Sequence, residues 1–211
     1  MTTTRSGDAP RSLLYGIYAL IDPARVEPIA FTDALLRGGI RLVQIRAKSG
    51  IDAAALTEIV GRVHAAGGIT IVNDDVRLAT LADGVHLGQE DAAEHDLAQV
   101  RRDLGGRIIG LSCGTPAEAR AADAAIVDYV GAGPIFATPS KADAGLPIGI
   151  GGVRAVADAT PLPCAAIGGI ALHNVARARE SNAVMAAVLG ALICDDPAAA
   201  ARALIAAWNG A

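Results

Sequence analysis

Aromatic side chains are scarce in this 211-residue chain: Phe, Trp and Tyr together make up 3%, with a single Trp. That scarcity argues against a nucleic-acid surface and against an aromatic-rich β-sandwich core. Positive charge is also in deficit. A formal net charge of −4 exerts no long-range pull on nucleic acid or anionic membrane, so neither is expected as a partner. Any phosphate ligand must be held by a local cluster of donors. Cysteine is limited to Cys113, Cys164 and Cys194. They show neither a CxxC spacing nor a paired framework, and read as free thiols in a reducing cytoplasm. No run of 18 or more apolar residues free of charge and turn signals occurs, so no membrane span is expected. The polar opening MTTTRSGDAPRS has no apolar stretch of the kind a secretory signal needs, and residues 1–12 read as a disordered leader.

What is abundant is Ala, Val, Ile and Leu, within a hydrophobic content of 52%. Such a composition suits parallel strands buried on both faces beneath Ala-rich helices. Short apolar runs recur at Gly16–Ile21, Leu42–Ala47, Ile69–Asn73, Gly84–Gly88, Ile108–Ser112, Tyr129–Gly133, Cys164–Gly169 and Val184–Gly190. Helical stretches follow at Val26–Arg37, Asp52–Ala66, Val76–Leu81, Leu97–Leu104, Thr115–Ala125, Gly152–Asp158, Leu172–Glu180 and Pro197–Trp208. Strand-then-helix repeated eight times predicts a single-domain (β/α)8 TIM barrel over residues 13–211. The rival, an open doubly wound sheet, calls for a glycine-rich phosphate loop after the first strand, where the chain reads Ile21-Asp22-Pro23. Local punctuation agrees with the barrel. Thr115-Pro116-Ala117-Glu118 reads as a capping box, Asp196-Pro197 as a helix start, and Gly38-Gly39 and Gly67-Gly68 as helix stops.

In such a barrel chemistry belongs at the C-terminal strand ends. Gln44, Arg46 and Lys48 alternate at period two and share one side of the second strand. If that side is the interior, two cations and an amide climb toward the mouth and imply an anionic partner. Asn73-Asp74-Asp75 ends the third strand, with residue types suited to Mg²⁺ or to a helix N-cap. Gln89-Glu90-Asp91 brings a second acidic pair to the neighbouring loop. Carboxylates from adjacent strand ends can share one Mg²⁺. Ser112 ends the fifth strand, and Thr138, Ser140 and Lys141 add hydroxyls and a cation after the sixth. Gly168-Gly169, and Leu189-Gly190 after the eighth strand, let backbone N–H groups approach a phosphate. His86, inside the fourth strand, reads as a histidine satisfied within a barrel layer rather than a base.

Taken together, VQIRAK (43–48), IVNDD (71–75), ADGVHLGQED (82–91), GLS (110–112), GAGPIFATPSK (131–141) and AAIGGI (165–170) resemble the thiamine-phosphate synthase family in order and spacing. The resemblance implies a transferase that joins a hydroxymethylpyrimidine diphosphate to a thiazole phosphate (or its carboxylate), releasing pyrophosphate and forming thiamine phosphate. It implies that Gln44, Arg46, Lys48, Asn73, Ser112 and Lys141 hold the pyrimidine diphosphate, with Arg46, Lys48, Ser112 and Lys141 as the catalytic set. Asp74 and Asp91 would bind Mg²⁺. Thr138, Ser140, Gly169, Leu189 and Gly190 would hold the thiazole phosphate. The implied step is dissociative: the aminopyrimidine stabilises a methylene cation that the thiazole nitrogen captures, so no protein nucleophile is required.

Three positions depart from the family pattern. Cys113-Gly114 stands where a small residue and then His are common, Gly190 where a serine is usual, and Ser181-Asn182-Ala183 lacks the usual glycine. A thiazole tautomerase-like relative is one alternative, but its proton transfer depends on the histidine that Gly114 replaces. A non-catalytic barrel binding thiazole phosphate or thiamine phosphate is a second, and a phosphosugar isomerase, for which no base is evident, a third. A homo-oligomer is compatible with the sequence.

Overall fold

Eight parallel strands close on themselves in sequence order: β1 (Gly16–Ile21), β2 (Leu42–Ile45), β3 (Ile69–Asn73), β4 (Gly84–Leu87), β5 (Ile108–Ser112), β6 (Tyr129–Ala132), β7 (Cys164–Ile167) and β8 (Met185–Val188). The structure, a computed structural model, describes residues 10–138 and 145–211. Residues 1–9 of the expected leader lie outside the described residues, as do Ser140 and Lys141. Arg11–Leu13 form a short 3₁₀ turn, from which Leu13 and Leu14 pack into the interior cluster with Tyr18, Leu42, Ile69 and Met185.

The helices are α1 (Pro28–Arg37), α2 (Ala53–Ala65), α3 (Gln89–Ala93), α4 (Leu97–Leu104), α5 (Pro116–Ala121), α6 (Gly149–Ala157), α7 (Val175–Ala178) and α8 (Pro197–Asn209). Their starts are chemically specified. Glu27, Asp52, Asp96 and Asp196 each accept from backbone N–H groups of the first turn. Thr115 and Glu118 form the reciprocal capping box expected of them, at 3.2 and 3.1 Å. Each such cap satisfies donors the helix leaves unpaired.

Two connections differ from the sequence-based expectation. The segment after β3 holds a 3₁₀ turn, Leu78–Leu81, in place of the helix expected over Val76–Leu81. After β4 the chain makes an extra short helix, α3, before α4. The last two strands also end earlier than their apolar runs, since Gly168 (φ +100°) after β7 and Leu189 (ψ −71°) after β8 leave extended geometry.

Alternation along the strands divides the core. One parity (Ile21, Val43, Val72, Val85, Ile109, Val130, Ala166, Val188) packs against the helices, while the other fills the barrel. Both sides are apolar, as parallel strands beneath helices require. Within the barrel, Gly110 makes room for an aromatic ring: a Cβ there would sit 2.2 Å from Cζ of Tyr129. The helix stops behave as expected, with Gly39 and Gly67 at φ +95° and +76°. Asn182 takes the left-handed position (φ +61°) in the segment without the usual glycine, and its amide donates to Asp158 at 2.8 Å. Among the described residues no helix is long and apolar enough to cross a membrane.

Candidate active site

Interior parity carries the polar residues upward to the C-terminal rim. Gln44 points inward on β2, buried, and donates through Nε2 to the Tyr18 hydroxyl at 2.8 Å. Arg46 and Lys48 continue that parity beyond the strand end, half-buried and exposed respectively. Neither forms an ion pair among the described residues, so both charges remain open to a ligand.

The acidic residues after β3 separate into two jobs. Asp75 accepts from the N–H groups of Arg77 and Leu78 at 2.8 and 3.0 Å, which makes it the cap. Asp74 takes no part in that cap. It has φ +64°, rare for a residue with a Cβ, and is the centre of a three-residue turn closed by Asp75 N–H to Asn73 C=O at 2.8 Å. Its own N–H donates across to His86 C=O at 2.9 Å, and its carboxylate accepts from the Asn73 amide. A backbone held off its preferred region at a strand end is the kind of strain that function maintains.

Asp91, in the first turn of α3, accepts from Gly88 N–H at 3.2 Å and lies within hydrogen-bonding reach of Asp74. Burial first, and then the Asp91 carboxylate, push the Asp74 carboxyl up to about 6, while Lys48 and Arg46 pull it down. These four side chains, from the segments that follow β2, β3 and β4, therefore share one electrostatic neighbourhood. Two half-buried carboxylates facing each other suit a hard cation. No group of three or more His, Cys, Asp and Glu gathers among the described residues, and Mg²⁺ requires only one or two carboxylates when phosphate oxygens and water complete its shell.

Ser112 ends β5 with its hydroxyl 3.0 Å from Nε2 of His86, whose Nδ1 lies 2.9 Å from the Tyr129 hydroxyl. His86 is thus satisfied on both ring nitrogens, and burial pulls its pKa down to about 4, keeping it neutral. Its partner Tyr129 is also 2.9 Å from Tyr18. Burial raises both phenols, Tyr129 well above its ordinary value. Sequence reasoning missed Tyr18 and Tyr129 as members of the site. The available signal was two hydroxyl-bearing rings on interior parity in strands that are otherwise aliphatic.

On the opposite side of the rim, Ile135 and Phe136 donate through their N–H groups to Ile167 and Gly168 C=O, tying the loop after β6 to the end of β7. Thr138, half-buried, follows this anchored stretch. Gly169 (φ +64°) leaves no space for a side chain, since a Cβ would sit 2.3 Å from Ala137 C=O. Asn174 holds the turn by donating to Gly169 C=O and accepting from Ala171 N–H, at 2.9 and 2.8 Å. Leu189 precedes a 3₁₀ turn, Gly190–Leu192. Ile167 is 38% exposed although it shares the rung of the interior residue Ala187, so it presents an apolar wall at the mouth. Gly114, where a base would be needed for proton transfer, instead donates its N–H to Glu118 at 2.6 Å.

Residues 17–192 match the family model described as thiamine monophosphate synthase. A thiamine-phosphate synthase of Herpetosiphon aurantiacus is 42% identical over 202 residues, covering 92% of this chain and 96% of that protein. The thiamine biosynthesis bifunctional protein ThiM/ThiE of Symbiobacterium thermophilum is 44% identical over 208 residues, 93% of this chain but 41% of that longer protein. Among solved structures, a thiamine phosphate pyrophosphorylase from Pyrococcus furiosus superposes with a TM-score of 0.82 at 28% identity, over 95% of this chain and 98% of the other. With its barrel closed and its polar rim assembled as described, this chain belongs to the thiamine monophosphate synthase family.

Proposed function

We propose that the chain is a thiamine-phosphate synthase, transferring the pyrimidinylmethyl group of a hydroxymethylpyrimidine diphosphate to the nitrogen of a thiazole phosphate. The single observation that carries the site assignment is the convergence of Arg46, Lys48, Asp74 and Asp91 from three neighbouring strand ends. Asp74 and Asp91 would hold Mg²⁺, and when bound the ion supplies positive charge to the diphosphate oxygens. Arg46 and Lys48 neutralise the charge that grows on the leaving diphosphate, with Lys141 assigned to the same role from its sequence motif. Each preorganised donor of this kind is worth about 3–4 kcal/mol of barrier.

The C–O bond to the diphosphate breaks, its electron pair leaves with the diphosphate, and the thiazole nitrogen lone pair forms the new C–N bond. Gln44, Asn73 and Ser112 orient the first substrate. Thr138 and Ser140, with the backbone at Gly169, Leu189 and Gly190, take the phosphate of the second. Holding both reactants over one mouth supplies the entropic part of the rate.

A coupled pyrophosphate-release assay tests this reading. Release is expected only when both substrates and Mg²⁺ are present. Release from the pyrimidine diphosphate alone, or none at all, refutes it, and turnover in Lys141→Ala close to wild type would show that the cationic set is misassigned.

A further inference from the structure

The polar residues inside the barrel form one unbroken chain running Gln44, Tyr18, Tyr129, His86, Ser112, with successive contacts of 2.8, 2.9, 2.9 and 3.0 Å. Its members come from β2, β1, β6, β4 and β5, so it crosses the lumen rather than following the wall. Hydrogen counting gives it a direction. The Gln44 amide nitrogen has only hydrogens to offer, so the Tyr18 oxygen accepts. Tyr18 is deeply buried and has one hydroxyl proton, which goes to its remaining described partner, the Tyr129 oxygen. The single proton of Tyr129 then goes to Nδ1 of His86. A neutral imidazole accepting at Nδ1 carries its hydrogen on Nε2, and that hydrogen goes to Ser112 Oγ. The hydroxyl proton of Ser112 is not consumed inward. It faces the mouth.

From this wiring we infer that Tyr18, Tyr129 and His86 are positioning residues that hold the Ser112 hydroxyl as a hydrogen-bond donor toward the diphosphate oxygens. The inference rests on the thiamine-phosphate reading above. The opposite direction would have Ser112 donate to His86 and turn an oxygen lone pair toward an anion. A donor strengthens as negative charge grows on the leaving group, whereas a lone pair opposes it, so the direction of the chain bears on kcat. The surrounding packing protects the arrangement. The His86 and Tyr129 rings lie with centroids 5.4 Å apart, and glycine at 110 and 131 leaves room for both rings, a Cβ at Gly131 reaching to 3.1 Å from Cε1 of His86.

The test uses the full chain labelled with ¹⁵N-histidine, the His86 resonances being identified by their loss in His86→Gln. The expected wild-type spectrum has hydrogen on Nε2 and a bare, accepting Nδ1. In Tyr129→Phe, which removes one oxygen, His86 loses the donor that fixes its tautomer. The ring should then populate both forms, and kcat should fall on the order of 10- to 100-fold, while KM for the pyrimidine diphosphate changes less than about threefold. Tyr18→Phe, one link further from Ser112, should give a smaller fall in the same direction, and it carries the test if Tyr129→Phe does not fold. An Nδ1–H tautomer in the wild type overturns the wiring whether or not the enzyme turns over. So does Tyr129→Phe with kcat within about twofold of wild type. The expected tautomer in a protein that releases no pyrophosphate overturns the functional reading instead.

Discussion

Asp74→Asn should make the protein more stable and nearly inactive. The substitution keeps the shape of the side chain, and Asn tolerates the left-handed backbone at this position (φ +64°) as well as Asp does. Only the charge goes. In the folded state burial and Asp91 hold the Asp74 carboxyl at about 6 rather than 3.8. Between about pH 4 and 6 the native state therefore binds more protons than the unfolded chain, and stability falls as pH rises through that window. Above it, the ionised carboxylate costs up to about 3 kcal/mol at 1.36 kcal/mol per pKa unit, and about 1–2 kcal/mol once solvent screening of a half-buried group is allowed for. Without divalent metal at pH 7.5, the variant should melt about 3–6 °C above wild type for a chain of this size, and the gap should close at pH 4. With both substrates and Mg²⁺, its turnover should drop about 10²- to 10³-fold if the proposed role holds, since Asn would remove the charged ligand assigned to the ion. Melting curves at the two pH values and the pyrophosphate assay decide the matter. A variant less stable than wild type at pH 7.5 without metal, or one turning over within tenfold of it, refutes the assignment of Asp74 as a strained, metal-directed carboxylate.

Two further outcomes follow from the same geometry. Gly190→Ser restores a hydroxyl at an exposed position whose backbone is not left-handed. One added hydrogen bond, worth about 0.5–1.5 kcal/mol, should lower KM for the thiazole phosphate roughly 2- to 10-fold with kcat little changed; an unchanged KM would mean the phosphate lies elsewhere. Gly110→Ala drives a methyl to 2.2 Å from the Tyr129 ring, which is buried and hydrogen-bonded at both sides of its hydroxyl. Overpacking should cost about 1–3 kcal/mol in urea denaturation and perturb the His86 tautomer with it; wild-type values of both would show that the ring has room to move.

Much of this was legible in the sequence because a closed parallel barrel ties residue parity to location. Gln44, Arg46 and Lys48 alternate, so placing one of them inside places the others on the same side of the strand. The Thr115 to Glu118 capping box is a purely local signal, and it appears in the structure as read. Other features depend on register between strands, which one sequence does not display. Tyr18 and Tyr129 stand 111 residues apart, and only closure of the barrel brings their hydroxyls to 2.9 Å. The division of labour between Asp74 and Asp75 was likewise undetermined, because metal binding and capping favour the same residue type. Helix α3 has five residues, Gln89–Ala93, too few to show a 3.6-residue period, so its start read simply as an acidic loop.

The interior chain also bears on why so aliphatic a barrel tolerates polar groups in its lumen. An unpaired buried hydroxyl costs about 1–3 kcal/mol, whereas a satisfied one is close to neutral. Among the described residues only Thr70 has a buried side-chain polar atom without a partner. The five-member chain achieves this by letting each group serve the next, with one end at Gln44 beneath the cationic wall and the other at Ser112 in the mouth. A change at either end should therefore alter the hydrogen-bonding state of the other across the barrel. Gln44→Leu, though at the far end, should disturb the His86 tautomer as Tyr18→Phe does, since it removes the one member whose hydrogens can point only one way. A wild-type imidazole spectrum in Gln44→Leu would mean that the direction is imposed from the Ser112 end instead, and that the amide merely fills space.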